Sequence, residues 1–428
     1  MNNKTIVSVL TKGLCTGCGT CVGICPKDAV EMVIDHRQGL YVPRLDEEKC
    51  NECGLCFQVC PGHAVDFKQL NLDIFGIEPD DIIIGNHLNC YLGHASDYDI
   101  RYDSASGGLV TALLVFALEQ GLIDGALVTR MRKDKPLEPE PFIAKTREEI
   151  ISASKSKYCP VPANIALKEI IKSKDCEKFA VVGLPCHIHG VRKAEKVNRT
   201  LKERIVLHLG IVCSHSDRFT ETHFLMHKYG IDKKEVIQLD YRGQGWPGSM
   251  RIQLRDAAGK YIPYDEYIAL HELYLFTPPR CTLCCDMVAR LADASFMDAW
   301  LPEIKVRDNA GSSIVISRTE KSETLGQRAI LENAVELKEI SSTDALRSQG
   351  KTRISNKDLK ANFYLSRLRG NAIPNYNIAI PKSGPANYLR AIVVNFNIWL
   401  SSQIFLGKLI NPLAYVESRA FRQIKSKI

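Results

Sequence analysis

The chain has 428 residues, 45% of them hydrophobic and 25% charged, the balance of an ordinary soluble protein long enough for two or three domains. Its net charge of +7 is concentrated at one end: residues 356–428 carry eleven Lys/Arg against two Asp/Glu, so the rest is near neutral and a nucleic-acid-binding role is disfavoured. Sixteen cysteines, with no charged-then-apolar leader before the first motif, exclude a secreted disulfide framework and point to metal or redox chemistry in a reducing cytoplasm.

Residues 1–70 contain a near-duplicate. Cys15, Cys18, Cys21, Cys25 and Pro26 follow a Cys-x2-Cys-x2-Cys-x3-Cys-Pro spacing, and Cys50, Cys53, Cys56, Cys60 and Pro61 repeat it. In the bacterial ferredoxin run three cysteines wrap one cubane and the fourth ligates the other. The spacing therefore predicts two [4Fe–4S] clusters, one on Cys15, Cys18, Cys21 and Cys60, the other on Cys50, Cys53, Cys56 and Cys25. Structural zinc also uses paired Cys-x2-Cys units, but the duplicated eight-cysteine run favours iron.

Residues 71–99, with Gly76, Pro79 and Gly85, read as a linker. From residue 100 to 335 apolar helical patterns alternate with short β-rich runs, the signature of an α/β core. Helices are expected over Leu109–Gln120, Asn164–Ser173, Val191–Val197, Phe219–Tyr229 and near Leu325–Leu331. Strands are expected over Gly125–Thr129, Phe142–Ala144, Phe179–Leu184, Ile205–Cys213, Val236–Tyr241, Arg251–Leu254 and Ser313–Ser317. Within this core Cys186 and Cys213 follow strands, and Cys281 and Cys284 form a Cys-x2-Cys. Strand ends converge at one edge of a parallel sheet, so these four can close a third cubane; the alternative is that Cys186 and Cys213 are small buried hydrophobes. Cys90, Cys159, Cys176 and Cys285 read as structural thiols.

Ser106-Gly107-Gly108 leads into a helix containing Thr111, an arrangement that suits a phosphate or flat ring, or else is a plain N-cap by Ser106. Lys157-Tyr158 lies in a second loop, and Arg242 and Trp246 in a third that can stack on a ring and pair an anionic group, or simply turn a hairpin. His187 and His189 beside Cys186 are candidate proton donors or hydrogen-bonded structural histidines. No G-x-G-x-x-G follows a strand and no P-loop is present.

Taken together, Ser106-Gly107-Gly108 with Thr111, Ser156-Lys157-Tyr158, Gly183-Leu184-Pro185-Cys186, Cys213, Tyr241-Arg242-Gly243 with Trp246-Pro247-Gly248, Cys281-x2-Cys284 with Asp286, and Ala292–Asp298 resemble the beta-subunit family of coenzyme F420-reducing hydrogenases and dehydrogenases. The likeness spans roughly residues 85–330, with Lys155 where many members have glycine and His187 where many have glutamine. It implies an α/β flavin-binding core with FAD and iron–sulfur, to which the cysteine spacing adds an α+β ferredoxin-like N-terminal domain and the C-terminal pattern a helical tail. It implies hydride exchange with the deazaflavin coenzyme F420, and single-electron exchange with a partner protein or complex. Cys186, Cys213, Cys281 and Cys284 become the core cluster ligands, and Ser106, Gly107, Gly108, Thr111, Lys157, Tyr158, Gly183, Pro185, Arg242 and Trp246 the flavin-side residues. Other readings keep flavin and clusters with a different organic substrate, or make the chain an electron-transfer subunit with no substrate of its own.

In the C-terminal region 336–428, Ala391–Gly407 is uncharged but short of a comfortable span. Ile392, Phe396, Trp399 and Leu406 share a helical face, followed by Lys408, Arg419, Arg422, Lys425 and Lys427. The pattern predicts a basic amphipathic tail that docks on a partner or a membrane surface, or packs on its own core.

Overall fold

The computed structural model describes residues 5–350 and 357–403. Its strands are β1 (Val30–Asp35), β2 (Leu40–Leu45), β3 (Asn89–Ala95), β4 (Gly125–Met131), β5 (Pro139–Ala144), β6 (Phe179–Gly183), β7 (Ile205–Ile211), β8 (Val236–Asp240), β9 (Ser249–Leu254), β10 (Gly259–Pro263), β11 (Ala294–Asp298), β12 (Ser313–Ser317) and β13 (Val335–Ile340). Eight of them make one mixed sheet in the order β13-β3-β12-β11-β7-β6-β4-β5. Its middle, β4, β6, β7 and β11, is parallel. The flanking strands run antiparallel.

Alternation decides which side each residue faces. In β4, Leu127 joins one apolar cluster while Ala126 and Val128 join another. In β6, Phe179 and Val181 take the first side and Ala180 the second. Helix Leu109–Glu119 covers the second side with eight buried residues, among them Leu113 and Phe116. The first side carries helix Pro185–Glu195 and the cysteine-rich N-terminal region, whose Ile6, Val9, Val59 and Val65 merge into the same core.

Segment 71–99, expected as a linker, holds the end of helix Phe67–Phe75 and all of β3, which lies between β13 and β12. Asn-Cys-Tyr-Leu-Gly-His-Ala has almost no β-branched content, so its strand character comes from its neighbours. β13 likewise extends the sheet beyond residue 335, as an edge strand with exposed Glu336 and Glu339. The expected strands Val236–Tyr241 and Arg251–Leu254 lie outside the large sheet, in a separate antiparallel sheet ordered β10-β9-β8.

The helix expected from Val191 begins at Pro185, a residue suited to the first helical turn. Gly190 disguised it. A side chain there would come within 2.1 Å of Thr20 Oγ1, so the glycine marks close approach of the N-terminal region and not a break. At the other end, helices Lys357–Leu368 and Pro385–Ser402 pack together. Helix Pro385–Ser402 buries Ala391, Ile398 and Leu400, and Asn397 Nδ2 donates to Leu273 O at 3.0 Å. Its opposite face exposes Leu389, Ile392, Val393, Phe396 and Trp399. Leu406 and the basic positions Lys408, Arg419, Arg422, Lys425 and Lys427 lie outside the described residues. No helix among the described residues is long and apolar enough to cross a membrane.

Candidate functional site

The two cysteine runs fold as structural copies. Gly19 and Gly54, with φ of 82° and 75°, cap four-residue helices that carry Cys21 and Cys56. Backbone N–H groups of Gly17, Glu52, Ala29 and Gly62 point at the sulfurs of Cys15, Cys50, Cys25 and Cys60 at 3.3–3.4 Å. Cys15, Cys18, Cys21 and Cys60 line one small cavity. Cys56 is coupled electrostatically to Cys53 and Cys25. The first grouping matches the ferredoxin spacing with Cys60 exchanged from the second run, and Cys25 of the first run likewise lies near Cys56 and Cys53.

β6 and β7 are adjacent and parallel, with Gly183 opposite Gly210, so Cys186 and Cys213 emerge at the same sheet edge. The short helix Pro279–Leu283 brings Cys281 and Cys284 to them. Burial first, and then the charges of Cys18, Cys213, Cys284 and Cys281, push the Cys186 thiol far up. Burial followed by Cys281 and Cys284 does the same to Cys213. Cys186 sits in the first turn of helix Pro185–Glu195, where N–H groups favour a thiolate, but burial and crowding oppose it. Four half-buried thiols whose ionised forms repel one another are stable as thiolates only around a cation, which is the donor chemistry of an iron–sulfur cluster.

This edge is welded to the N-terminal loops. Asn164, 2% exposed, donates through Nδ2 to Thr20 Oγ1 at 2.8 Å and to His187 O at 2.9 Å, and its N–H donates to Cys18 O at 2.9 Å. Lys193 Nζ donates to Cys60 O and Ala64 O at 2.8 and 2.6 Å. Arg280 reaches Leu14 O, Gly62 O and Tyr376 Oη. The histidines beside Cys186 are structural. His187 Nδ1 accepts from Leu184 N–H at 3.1 Å and Nε2 faces Val161 O at 2.9 Å, while His189 Nε2 meets Asp286 at 2.8 Å.

Further along the same edge β11 ends at Asp298, opposite Ser313 at the start of β12. Arg242, fully buried, forks onto both Asp298 oxygens at 3.0 and 2.9 Å, and Trp246 Nε1 donates to one of them at 2.8 Å. The guanidinium of Arg242 also lies 5.2 Å from the Tyr264 ring and 5.8 Å from that of Trp300. Its fork, expected for a ligand, is thus taken by a carboxylate, and its faces are turned to aromatic rings. Tyr158 Oη stands 3.4 Å from Arg242 Nη1. Lys157 Nζ donates to the carbonyls of Ala153, Ser154 and Lys155, and burial lowers it to about 7.

Ser106 does not cap its helix. Gly108, at φ 73°, holds the N-cap position, and Ser106 Oγ bonds Ser313 Oγ at 2.6 Å, which also accepts from Gly107 N–H at 2.9 Å. A side chain on Gly107 would strike Gly93 O and Ser313 N at 2.7 Å, and one on Gly311 would meet Ser106 O at 2.6 Å and Trp246 Cβ at 3.2 Å. The Ser106 loop therefore adjoins the Arg242–Trp246 loop. Thr111 is buried one turn into the helix, and Gly183 and Pro185 stand at the turn that carries Cys186.

Two buried networks escaped sequence reasoning. His208 on β7 sits between Glu195 at 2.6 Å and Asp293 at 3.0 Å. His215, Asp217 and His271 gather near Cys213, with His271 Nδ1 2.7 Å from Asp217. The His215 and His271 rings stack at 3.8 Å and 18°, a poor arrangement for two in-plane metal donors. Apart from His215 and Asp217, these partners are distant in the chain, so no spacing announces them.

A cysteine-rich module joined to a sheet edge bearing four more thiols defines an iron–sulfur protein of the redox class. Residues 14–64 match the 4Fe-4S dicluster domain. Residues 90–168 and 176–343 match the N- and C-terminal parts of the coenzyme F420 hydrogenase/dehydrogenase beta subunit, and the chain belongs to that family. It is 29% identical over 265 residues to the coenzyme F420 hydrogenase subunit beta of Methanothermobacter thermautotrophicus, covering 60% of this chain and 87% of that one. It is 28% identical over 347 residues to the coenzyme F420-dependent sulfite reductase of Methanocaldococcus jannaschii, covering 77% of this chain and 47% of that protein. A chain of the F420-reducing [NiFe] hydrogenase complex from Methanosarcina barkeri shares the fold, with a TM-score of 0.52 at 24% identity over 68% of this chain and 94% of that one.

Proposed function

We propose that this chain is an FAD- and [4Fe–4S]-containing oxidoreductase that exchanges a hydride with coenzyme F420 and single electrons with a redox partner protein. The observation that carries the reading is the shared sheet edge: Cys186 and Cys213 leave β6 and β7 there, and the Ser106, Tyr158, Arg242 and Trp246 loops meet at the ends of β11 and β12. When bound, the flavin takes up two electrons together and releases them singly, and the clusters carry them one at a time.

The residues present suit these groups. Cys186, Cys213, Cys281 and Cys284 would hold the core cluster, and the two N-terminal sets the other two. The Ser106–Gly108 loop, opening an eleven-residue helix, offers N–H groups for a pyrophosphate. The aromatic wall of Tyr158, Trp246, Tyr264 and Trp300 would lie against the ring, held rigid by the Arg242–Asp298 fork. Lys157, a buried amine bonded only to carbonyls among the described residues, would place positive charge or a proton beside it. The exposed face of helix Pro385–Ser402 would dock the chain on its partner or on a membrane.

Anaerobic mixing of the reconstituted chain with reduced F420 tests the proposal. Bleaching of bound FAD followed by cluster reduction is expected. A chain that binds no flavin, or whose flavin stays oxidised, overturns it.

A further inference from the structure

We propose that Arg280 sets the reduction potentials of the two clusters it lies between, the core cluster on Cys186, Cys213, Cys281 and Cys284 and the N-terminal cluster on Cys15, Cys18, Cys21 and Cys60. This rests on the cluster assignment proposed above. Arg280 is 6% exposed, and no carboxylate pairs with it among the described residues. Its donors meet neutral oxygens: Nε reaches Leu14 O and Gly62 O, both at 3.1 Å, and Nη2 reaches Gly62 O at 2.8 Å and Tyr376 Oη at 2.9 Å. A buried guanidinium without a counter-charge is strongly unfavourable. The negative groups nearby are the thiols themselves.

The placement is specific. Arg280 directly precedes Cys281, and its acceptors belong to the residue before Cys15 and to the second residue after Cys60. The Arg280 guanidinium lies close enough for its charge to act on Cys15 on one side and on Cys281 and Cys284 on the other. Cys56, from the other N-terminal set, feels its own neighbours Cys53 and Cys25 instead. Reducing a cluster adds one negative charge, so a fixed cation beside it stabilises the reduced form and raises its potential. Lys193 is a second such cation on one side only. Its Nζ caps Cys60 O and Ala64 O, and its charge reaches Cys60 and Cys18 but none of the core thiols. The junction between the two clusters therefore carries two fixed cations, Arg280 facing both and Lys193 facing one.

The test is an EPR-monitored redox titration of the full, reconstituted chain and its variants. Arg280→Gln should move two clusters to more negative potential by at least a tenfold change in the reduced-to-oxidised ratio, 59 mV for one electron, and leave the third unmoved. Arg280→Lys should recover more than half of the shift, and Tyr376→Phe, which keeps the charge, should show none. Lys193→Gln should move one cluster alone, and this variant decides the matter if Arg280→Gln does not fold. Three clusters at wild-type potentials in Arg280→Gln, or in Lys193→Gln where that variant decides, overturn the inference. A wild-type chain with only two clusters overturns instead the assignment beneath it.

Discussion

Cys15, Cys18 and Cys21 lie within seven consecutive residues, while Cys186, Cys213 and the Cys281–Cys284 pair come from three segments spread over a hundred residues of the core. In the N-terminal region, local chain geometry does the gathering: glycines at positive φ cap two short helices and turn N–H groups onto sulfur. At the sheet edge, topology does it, because parallel neighbours must end on the same side. A local motif therefore survives disturbance of the fold around it, whereas a topological one fails when any element that delivers a ligand shifts. Exposure differs as well: in the N-terminal region Cys18, Cys21, Cys56 and Cys60 are buried and Cys53 is exposed, whereas Cys186, Cys213, Cys281 and Cys284 are all half-buried.

The largest expected effect breaks the comparison at its centre. Reconstituted wild type should hold about twelve iron atoms and Cys186→Ser about eight, four per cubane, because serine keeps the shape but ligates iron poorly. Flavin should still bleach on mixing with reduced F420, while the N-terminal clusters reduce far more slowly. A wild-type iron content in Cys186→Ser, or wild-type cluster reduction, would make Cys186 a packed thiol.

His208 offers a test through the topology alone. It ties β7, which leads to Cys213, to Glu195 on the Cys186 helix and to Asp293 ahead of β11. Burial and Arg192 push the imidazole down, but Glu195 and Asp293 outweigh them and raise it above its ordinary value. His208→Gln removes one of the two cations that face these buried carboxylates, leaving Arg192, and should destabilise by about 1–3 kcal/mol. The contribution of protonated His208 is complete below its unfolded value, near 6.5, and fades as pH rises through the higher folded value. The two carboxylates, both held low, contribute above roughly pH 4 and lose that on acidification. Denaturant melts should therefore show the His208→Gln penalty larger at pH 6 than at pH 9. A penalty that grows with pH would reverse this assignment. Core-cluster iron should be lost before N-terminal iron.

Asn164→Ala should cost about 1–3 kcal/mol, since it removes two buried bonds that join Thr20 to the His187 carbonyl. Limited proteolysis should then release the N-terminal region earlier than in wild type; unchanged cleavage would mean the apolar seam alone holds the junction.

The same contrast explains what the sequence discloses. Both N-terminal cysteine sets were readable because three members of each are sequence neighbours and the fourth closes the duplicated run, and the convergence of Cys186 with Cys213 was readable because each follows a strand-like run. Asp298 and the Ser106–Ser313 pair were not assigned roles, because Arg242 and Ser106 acquire their partners only through the β11–β12 pairing. Strand β3 hid in an apparent linker for lack of β-branched residues, and the Cys186 helix hid behind Gly190, whose reason is contact with Thr20. Residues whose role depends on distant partners leave no local pattern.

The smallest expected effect concerns an apolar surface that neither region explains. On helix Pro385–Ser402, Phe396 and Trp399 are each 52% exposed, with ring centroids 5.7 Å apart, while Ile398 between them is 5% exposed. If the exposed stripe serves docking, it contributes little to the fold, and Trp399→Ala or Phe396→Ala should change stability by less than about 0.5 kcal/mol, the range of ordinary surface positions. Ile398→Ala, on the buried side, should instead destabilise clearly through the cavity it leaves. Removing everything after Pro385 should destabilise as well, because it takes away the buried face along with the Asn397–Leu273 bond. Thermal melts of the point variants separate the two faces, which truncation cannot do. Trp399→Ala melting like Ile398→Ala would show that the stripe is covered by the chain itself and is not a surface kept for a partner.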